Sequence, residues 1–193
     1  MLRFFNPVKL QIFRASLLMR KLLNQELNRK TVDEFKRSPK TGIVVVLDNV
    51  RSLHNVGSVF RTCDAFLIES LYLCGITGSP PNKEIQKTAL GSTETVEWKS
   101  FESTNEAILL LKQNGYKVYA CEQTEMAIPL NKFNPEKKSK LAVVFGHEVK
   151  GVEQDVINLC DAVIEIPQQG TKHSLNIAVS AGIVIYDIYL KIS

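Results

Sequence analysis

Short runs of apolar and β-branched residues, each ending at a turn signal, recur along the chain: Ile43–Leu47, Leu71–Cys74, a stretch near Val96–Trp98, Lys117–Cys121, Leu141–Phe145 and Ala162–Ile166. Continuous runs of this length are the pattern of strands buried on both faces in a parallel sheet. Between them the apolar period lengthens to that of helices. Asn55 to Phe66 turns Val56, Val59, Phe60 and Cys63 inward, and Asn105 to Asn114 is closed by Gly115. Ser174 to Leu190 forms a closing helix with Leu175, Val179, Ile183 and Tyr186 on one face. At the front, Leu10, Phe13, Leu17, Leu18, Leu22 and Leu27 predict a helix over Val8 to Lys30, and Thr31 to Thr41 reads as a linker. Gly75 to Asn82 is a loop, and Glu122 to Lys140, with Pro129 and Pro135, is a polar connection. Strands alternating with helices predict an α/β domain with a mainly parallel sheet flanked by helices.

Charge changes this picture at one end. Residues 1–40 hold ten Lys/Arg against three Asp/Glu, or +7, while 41–193 hold fourteen against seventeen, or −3. The division is therefore a basic helical N-terminal arm with its linker, residues 1–40, and a domain over 41–193. Arg14, Arg20, Lys21 and Arg29 interleave with the leucines of the arm. They are either a surface that neutralises RNA phosphates or the solvated basic face of a packed helix. The composition, 45% hydrophobic and 23% charged over 193 residues, is that of a globular protein, and no apolar run reaches membrane-spanning length. Cys63, Cys74, Cys121 and Cys160 stand far apart with no Cys-x-x-Cys pair, which disfavours a zinc site or disulfide framework. No metal and no membrane are expected, and a reducing cytoplasm is the expected location, with a mitochondrial leader ranked second.

The polar chemistry lies in the turns after the strands, where open α/β sheets bind their ligands. Gly146-His-Glu-Val-Lys-Gly151 follows one strand, and Pro167-Gln-Gln-Gly-Thr-Lys-His-Ser-Leu-Asn176 follows the next. With Asn55-Val-Gly-Ser-Val-Phe-Arg61-Thr-Cys-Asp-Ala65, these segments resemble the three ordered signature motifs of the SpoU (TrmH-like) RNA ribose 2′-O-methyltransferases, a branch of the SPOUT superfamily. The resemblance covers residues 43–188.

The resemblance implies a SPOUT fold whose C-terminal segment is threaded as a trefoil knot, a homodimer, and S-adenosyl-L-methionine as methyl donor. It places backbone contacts to the donor at Gly146, Ile166 and Leu175, with Ala120 a weaker candidate. Asn55, Arg61, Glu148, Ser174 and Asn176 match the polar active-site set. A guanidinium stays protonated, so Arg61 is expected to clamp phosphate or stabilise the developing alkoxide rather than act as a base. Ser174 and Asn176 also stand where a helix begins, so N-capping is an equal role for them. His147 and Val149 depart from the residues usual at their places. A tRNA substrate is expected in preference to rRNA, and the alternative is a non-catalytic RNA-binding module that retains the fold. A nucleotide-dependent oxidoreductase is disfavoured, because no Gly-x-Gly-x-x-Gly follows a strand.

Overall fold

The computed structural model of the chain describes residues 19–192. The chain divides into two compact units, Met1–Thr31 and Val32–Ser193. In the first, residues 19–30 do not form the helix that the leucine spacing predicts. They make a single 3₁₀ turn, Asn24–Leu27, ended by Asn28 in the left-handed region at φ 46°. Asparagine favours such turns over helix interiors, and Leu22 and Leu23 stay exposed, so no packed apolar face supports a longer helix. Arg20 grips the Glu26 carboxylate at 2.5 and 3.0 Å. The remainder of the predicted helix, with Arg14, lies outside the described residues.

The second unit opens with α1 (Val32–Arg37), where a linker was expected. Phe35 is buried there, and the Lys40 ammonium lies 3.8 Å from the centre of its ring. There follow β1 (Ile43–Asp48), α2 (Leu53–Ala65), β2 (Ser70–Cys74), α3 (Lys83–Ala89), α4 (Ser92–Thr95), β3 (Trp98–Phe101), α5 (Thr104–Gln113), β4 (Lys117–Cys121), β5 (Ile128–Pro129), β6 (Leu141–Phe145), α6 (Gln154–Leu159), β7 (Ala162–Glu165) and α7 (Ile177–Ile192). The strands form one seven-stranded sheet in the order β3-β2-β1-β6-β4-β7-β5, and every neighbouring pair is parallel.

Each inner strand is apolar at successive positions because it feeds two layers. Ile43, Val45 and Leu47 of β1 pack with Val56, Val59 and Phe60 of α2, Ile85 of α3 and the inner side of α7. Val44 and Val46 pack with Ile108 and Leu111 of α5 and Val156 of α6. Gly57 lets α2 approach α3 closely, since a Cβ there would overlap Thr88 and the backbone of Ile85. The expected polar connection, Glu122 to Lys140, contributes the edge strand β5 and buries Leu130 and Phe133. An edge strand tolerates Pro129.

The closing helix is apolar on nearly every side. Ile177, Ala181, Val184, Ile185 and Ile188 are its buried face, whereas the stripe with Val179, Ile183 and Tyr186 is turned to solvent.

Candidate active site

The chain leaves neighbouring strands β1 and β6 in opposite directions. From β1 it enters α2 on one face of the sheet, and from β6 it enters α6 on the other. Such a switch point opens a crevice beyond the strand ends, and Glu148, three residues past β6, bridges it. Its Oε1 accepts from the Ser52 N–H at 2.9 Å and from Asn55 Nδ2 at 3.1 Å, and its Oε2 accepts from the Arg51 N–H at 3.1 Å. Ser52 is the N-cap of α2, so the carboxylate sits at the positive end of that helix. Burial alone would raise the Glu148 carboxyl. The N–H groups of Ser52 and Arg51, with Asn55, outweigh it and hold the group below the ordinary carboxylate range.

Asn55 passes the connection on, because its Oδ1 accepts from Asn176 Nδ2 at 3.2 Å. Asn176 Oδ1 in turn accepts from the N–H groups of Ala178 at 2.8 Å and Val179 at 3.4 Å, which makes it the cap of α7. Glu148, Asn55 and Asn176 thus form one net joining the start of α2, the loop after β6 and the start of α7.

Further groups fix the loop after β6. The His147 ring accepts at Nδ1 from the N–H groups of Val149 at 3.0 Å and Lys150 at 3.3 Å, and its backbone pairs with Gly151. Glu122 Oε2 accepts from the Val152 N–H at 3.0 Å, while buried Asp48 Oδ2 accepts from the Glu153 N–H at 3.4 Å. Gly146 packs against the backbone of Gly151 and Val152, where a Cβ would overlap both. Gly151 has φ 71° and a Cβ there would meet the Glu122 carboxylate, so only glycine suits that position. Gln123 adds a strap to the loop after β7, donating from Nε2 to the His173 carbonyl at 2.7 Å. Glu122 and Gln123 were not singled out from the sequence, although two polar residues directly beyond a buried parallel strand mark the ligand end of the sheet.

These loops wall a cavity of about 600 Å³ at the carboxyl ends of β4, β6 and β7. Gly146, Glu148, Ile166, Ser174, Leu175 and Asn176 line it. Ala120 does not: it is fully buried in β4, and its neighbour Cys121 reaches the cavity instead. Burial pushes the Cys121 thiol up to about 12, so it is neutral in the working range. Arg61 also lies off the cavity, exposed in the third turn of α2, with no hydrogen-bond or ion-pair partner among the described residues. Six residues on from Asn55, it points about 120° away around the helix. Of the basic arm residues, Arg20 is paired with Glu26, and Lys21 and Arg29 are exposed.

The cavity suits a cationic small molecule. Its size falls in the range of small-ligand sites, roughly 300–1,000 Å³. Glu122, Glu148 and Glu165 line it against Lys150, beside apolar Phe145, Ile166, Leu175 and Ile177. No backbone hydrogen bond engages Ile166 or Leu175 among the described residues, which leaves their polar groups for a ligand.

The architecture is an open parallel α/β sheet with a ligand-sized cavity beyond its strand ends. The structure of the Aquifex aeolicus TrmH/SpoU tRNA modifying enzyme superposes with a TM-score of 0.74 at 25% identity, covering 88% of this chain and 84% of that one. The SpoU methyltransferase AviRb from Streptomyces viridochromogenes, solved with AdoMet, gives 0.72 at 19% identity over 84% of this chain and 62% of its own, a likeness of fold. In sequence, the tRNA (guanosine(18)-2′-O)-methyltransferase of Thermus thermophilus is 32% identical over 162 residues, 84% of this chain and 81% of that protein. Residues 42–186 match the SpoU rRNA Methylase family, and the chain belongs to it.

Proposed function

We propose that the protein transfers a methyl group from S-adenosyl-L-methionine to a ribose 2′-hydroxyl of RNA, with tRNA as the substrate. The observation that carries this reading is the cavity bounded by the motif loops and joined to the Glu148–Asn55–Asn176 net. Family membership and the likeness to a tRNA guanosine methyltransferase support the reaction and the choice of tRNA over rRNA.

When bound, S-adenosyl-L-methionine supplies an electrophilic methyl group on a sulfonium. Backbone groups at Gly146, Ile166 and Leu175 hold the donor, and Glu122, Glu148 and Glu165 favour its positive charge. Ser174 and Asn176 position the reacting ribose at the cavity rim, while Glu148 keeps Asn55 oriented through a charge-assisted hydrogen bond. The guanidinium of Arg61, exposed and off the cavity, clamps a phosphate of the RNA backbone and so fixes the bound strand.

Calorimetry with S-adenosyl-L-methionine, together with methyl transfer to tRNA, tests this. Arg61→Ala is expected to lower transfer by roughly 100-fold or more while donor affinity stays within about twofold, because its contacts are all elsewhere. Equal loss of both would overturn the division of roles, and a wild-type protein that binds no donor would leave the non-catalytic RNA-binding alternative standing.

The same reading includes a homodimer, supported by the exposed apolar stripe of α7. It also includes a cytoplasmic location, supported by four cysteines that are all free thiols, as a reducing compartment keeps them. No helix among the described residues is long and apolar enough to cross a membrane. Fractionating cells that express the protein would test the location. The reading further assigns the arm, residues 1–40, to RNA binding and 41–193 to catalysis. The trefoil knot is supported by the likeness to SpoU folds. Pulling the chain from its two ends tests it, since a knotted chain stops short of its full extended length.

A further inference from the structure

The two loops that wall the cavity are held very unequally. The loop after β6 is tied down by the pairing of His147 with Gly151, by the His147 ring, and by the carboxylates of Glu122, Asp48 and Glu148. The loop after β7 has no such set of ties. The sheet ends at Glu165, whose carbonyl accepts from the Leu130 N–H at 2.8 Å, and the next fixed point is Asn176, the cap of α7. Between them, among the described residues, a single hydrogen bond reaches residues 166–175, the one that Gln123 Nε2 donates to the His173 carbonyl.

Neither burial nor packing at the loop's tip replaces the missing bonds. Residues 167–176 are all exposed, and a Cβ on Gly170 would meet nothing within 4 Å. Gln168, His173, Ser174 and Leu175 also line the cavity, so this loop is the wall between the cavity and solvent. The root of the one bond is fixed, however. Gln123 directly follows β4, and its backbone N–H donates to Glu122 Oε1 at 2.8 Å, while Glu122 Oε2 holds the Val152 N–H of the opposite wall. Breaking the contact at His173 therefore frees one wall and leaves the other as it stands. Segments with few buried contacts and exposed hydrogen bonds are those that open at the lowest free energy.

We infer that Gln123 is a positioning residue that latches the loop after β7 over the cavity, so that a ligand enters and leaves when the Gln123–His173 bond opens. The identity of that ligand, S-adenosyl-L-methionine, rests on the methyltransferase reading; the latch does not.

Gln123→Met keeps the length and neutrality of the side chain and removes its donor. In the ligand-free protein, NMR relaxation dispersion at the amides of Gly170 and His173 reads the opening on its own timescale. Loss of one exposed hydrogen bond of ordinary strength is expected to enlarge the open population about fivefold. Stopped-flow binding of S-adenosyl-L-methionine reads the consequence. The latch closes free and occupied protein alike, so association and dissociation rates should rise together by about fivefold while Kd stays within about twofold. A side chain that merely shapes the wall would raise the dissociation rate alone. That pattern, or dispersion at Gly170 and His173 identical in wild type and variant, would overturn the latch. A wild type that binds no S-adenosyl-L-methionine, with the change in dispersion intact, would remove the methyltransferase reading and uphold the latch.

Discussion

Glu148 is where the chemistry of single residues converges. Three groups donate to its carboxylate, and they hold its pKa below the ordinary value, so the ionised form favours the folded state. A carboxyl depressed by folding contributes stability that is complete above its unfolded value, about 4.3, and is lost as pH falls through its lower folded value. The stability difference between wild type and Glu148→Gln should therefore be constant from about pH 8 to about pH 5 and shrink below about pH 4. Thermal melts across that range measure it, and a difference independent of pH would mean that the carboxylate's charge is irrelevant. Methyl transfer by the same variant should fall by about 100-fold, because the glutamine keeps one acceptor oxygen but turns an NH2 donor toward the Arg51 N–H or the Ser52 and Asn55 donors, and small misplacements at a reacting centre have costs of that size. Arg61 shows the opposite case, a residue whose motif marks it and whose surroundings within the chain do not, since its partner is expected to be the substrate.

Among the elements, β4 does more than fill the sheet. Glu122 and Gln123, just beyond it, hold the loops after β6 and β7 through the Val152 N–H and the His173 carbonyl. Both loops wall the cavity at the strand ends, so β4 sets their separation before any ligand arrives. Glu122→Ala should weaken donor binding by about tenfold, as expected when hydrogen bonds worth ~1–3 kcal/mol are lost at a preorganised site, and leave RNA affinity unchanged. Calorimetry reads the first, and amide exchange at Val152 reports directly on the brace. Unchanged exchange there would show that the loop stands without Glu122. The opposite outcome for sequence reasoning came from α7, where apolar residues surround the helix and periodicity alone did not say which side faces the core.

At the scale of the whole molecule, the exposed side of α7 presents Val179, Ile183, Tyr186 and Leu190 at 51%, 39%, 50% and 57% exposure. A contiguous apolar stripe of this kind marks an interaction surface. Replacing Ile183 by Arg and Tyr186 by Glu should convert a dimer to a monomer in sedimentation, and a wild-type protein that is monomeric and active would remove the dimer from the reading. The arm is tested by reversing the charges of Arg14, Arg20, Lys21 and Arg29. If the +7 of residues 1–40 supplies RNA affinity, that variant binds RNA more weakly and with a flatter salt dependence, at unchanged donor affinity. Identical affinity and salt slope would return the arm to a structural role. The sequence by itself determined six of the seven strands, all but the edge strand β5, and the polar turns, because burial on both faces leaves continuous apolar runs and because the motifs are local. It also misread residues 19–30 as helix and Val32–Arg37 as linker, where asparagine turns and one buried phenylalanine outweighed spacing. Only the tertiary structure decided the strand order, the buried side of α7, the bond between Asn55 and Asn176 and the braces from Asp48 and Glu122. Those depend on crossovers that bring together residues distant along the chain, and no local period of hydrophobicity records which distant polar groups will meet.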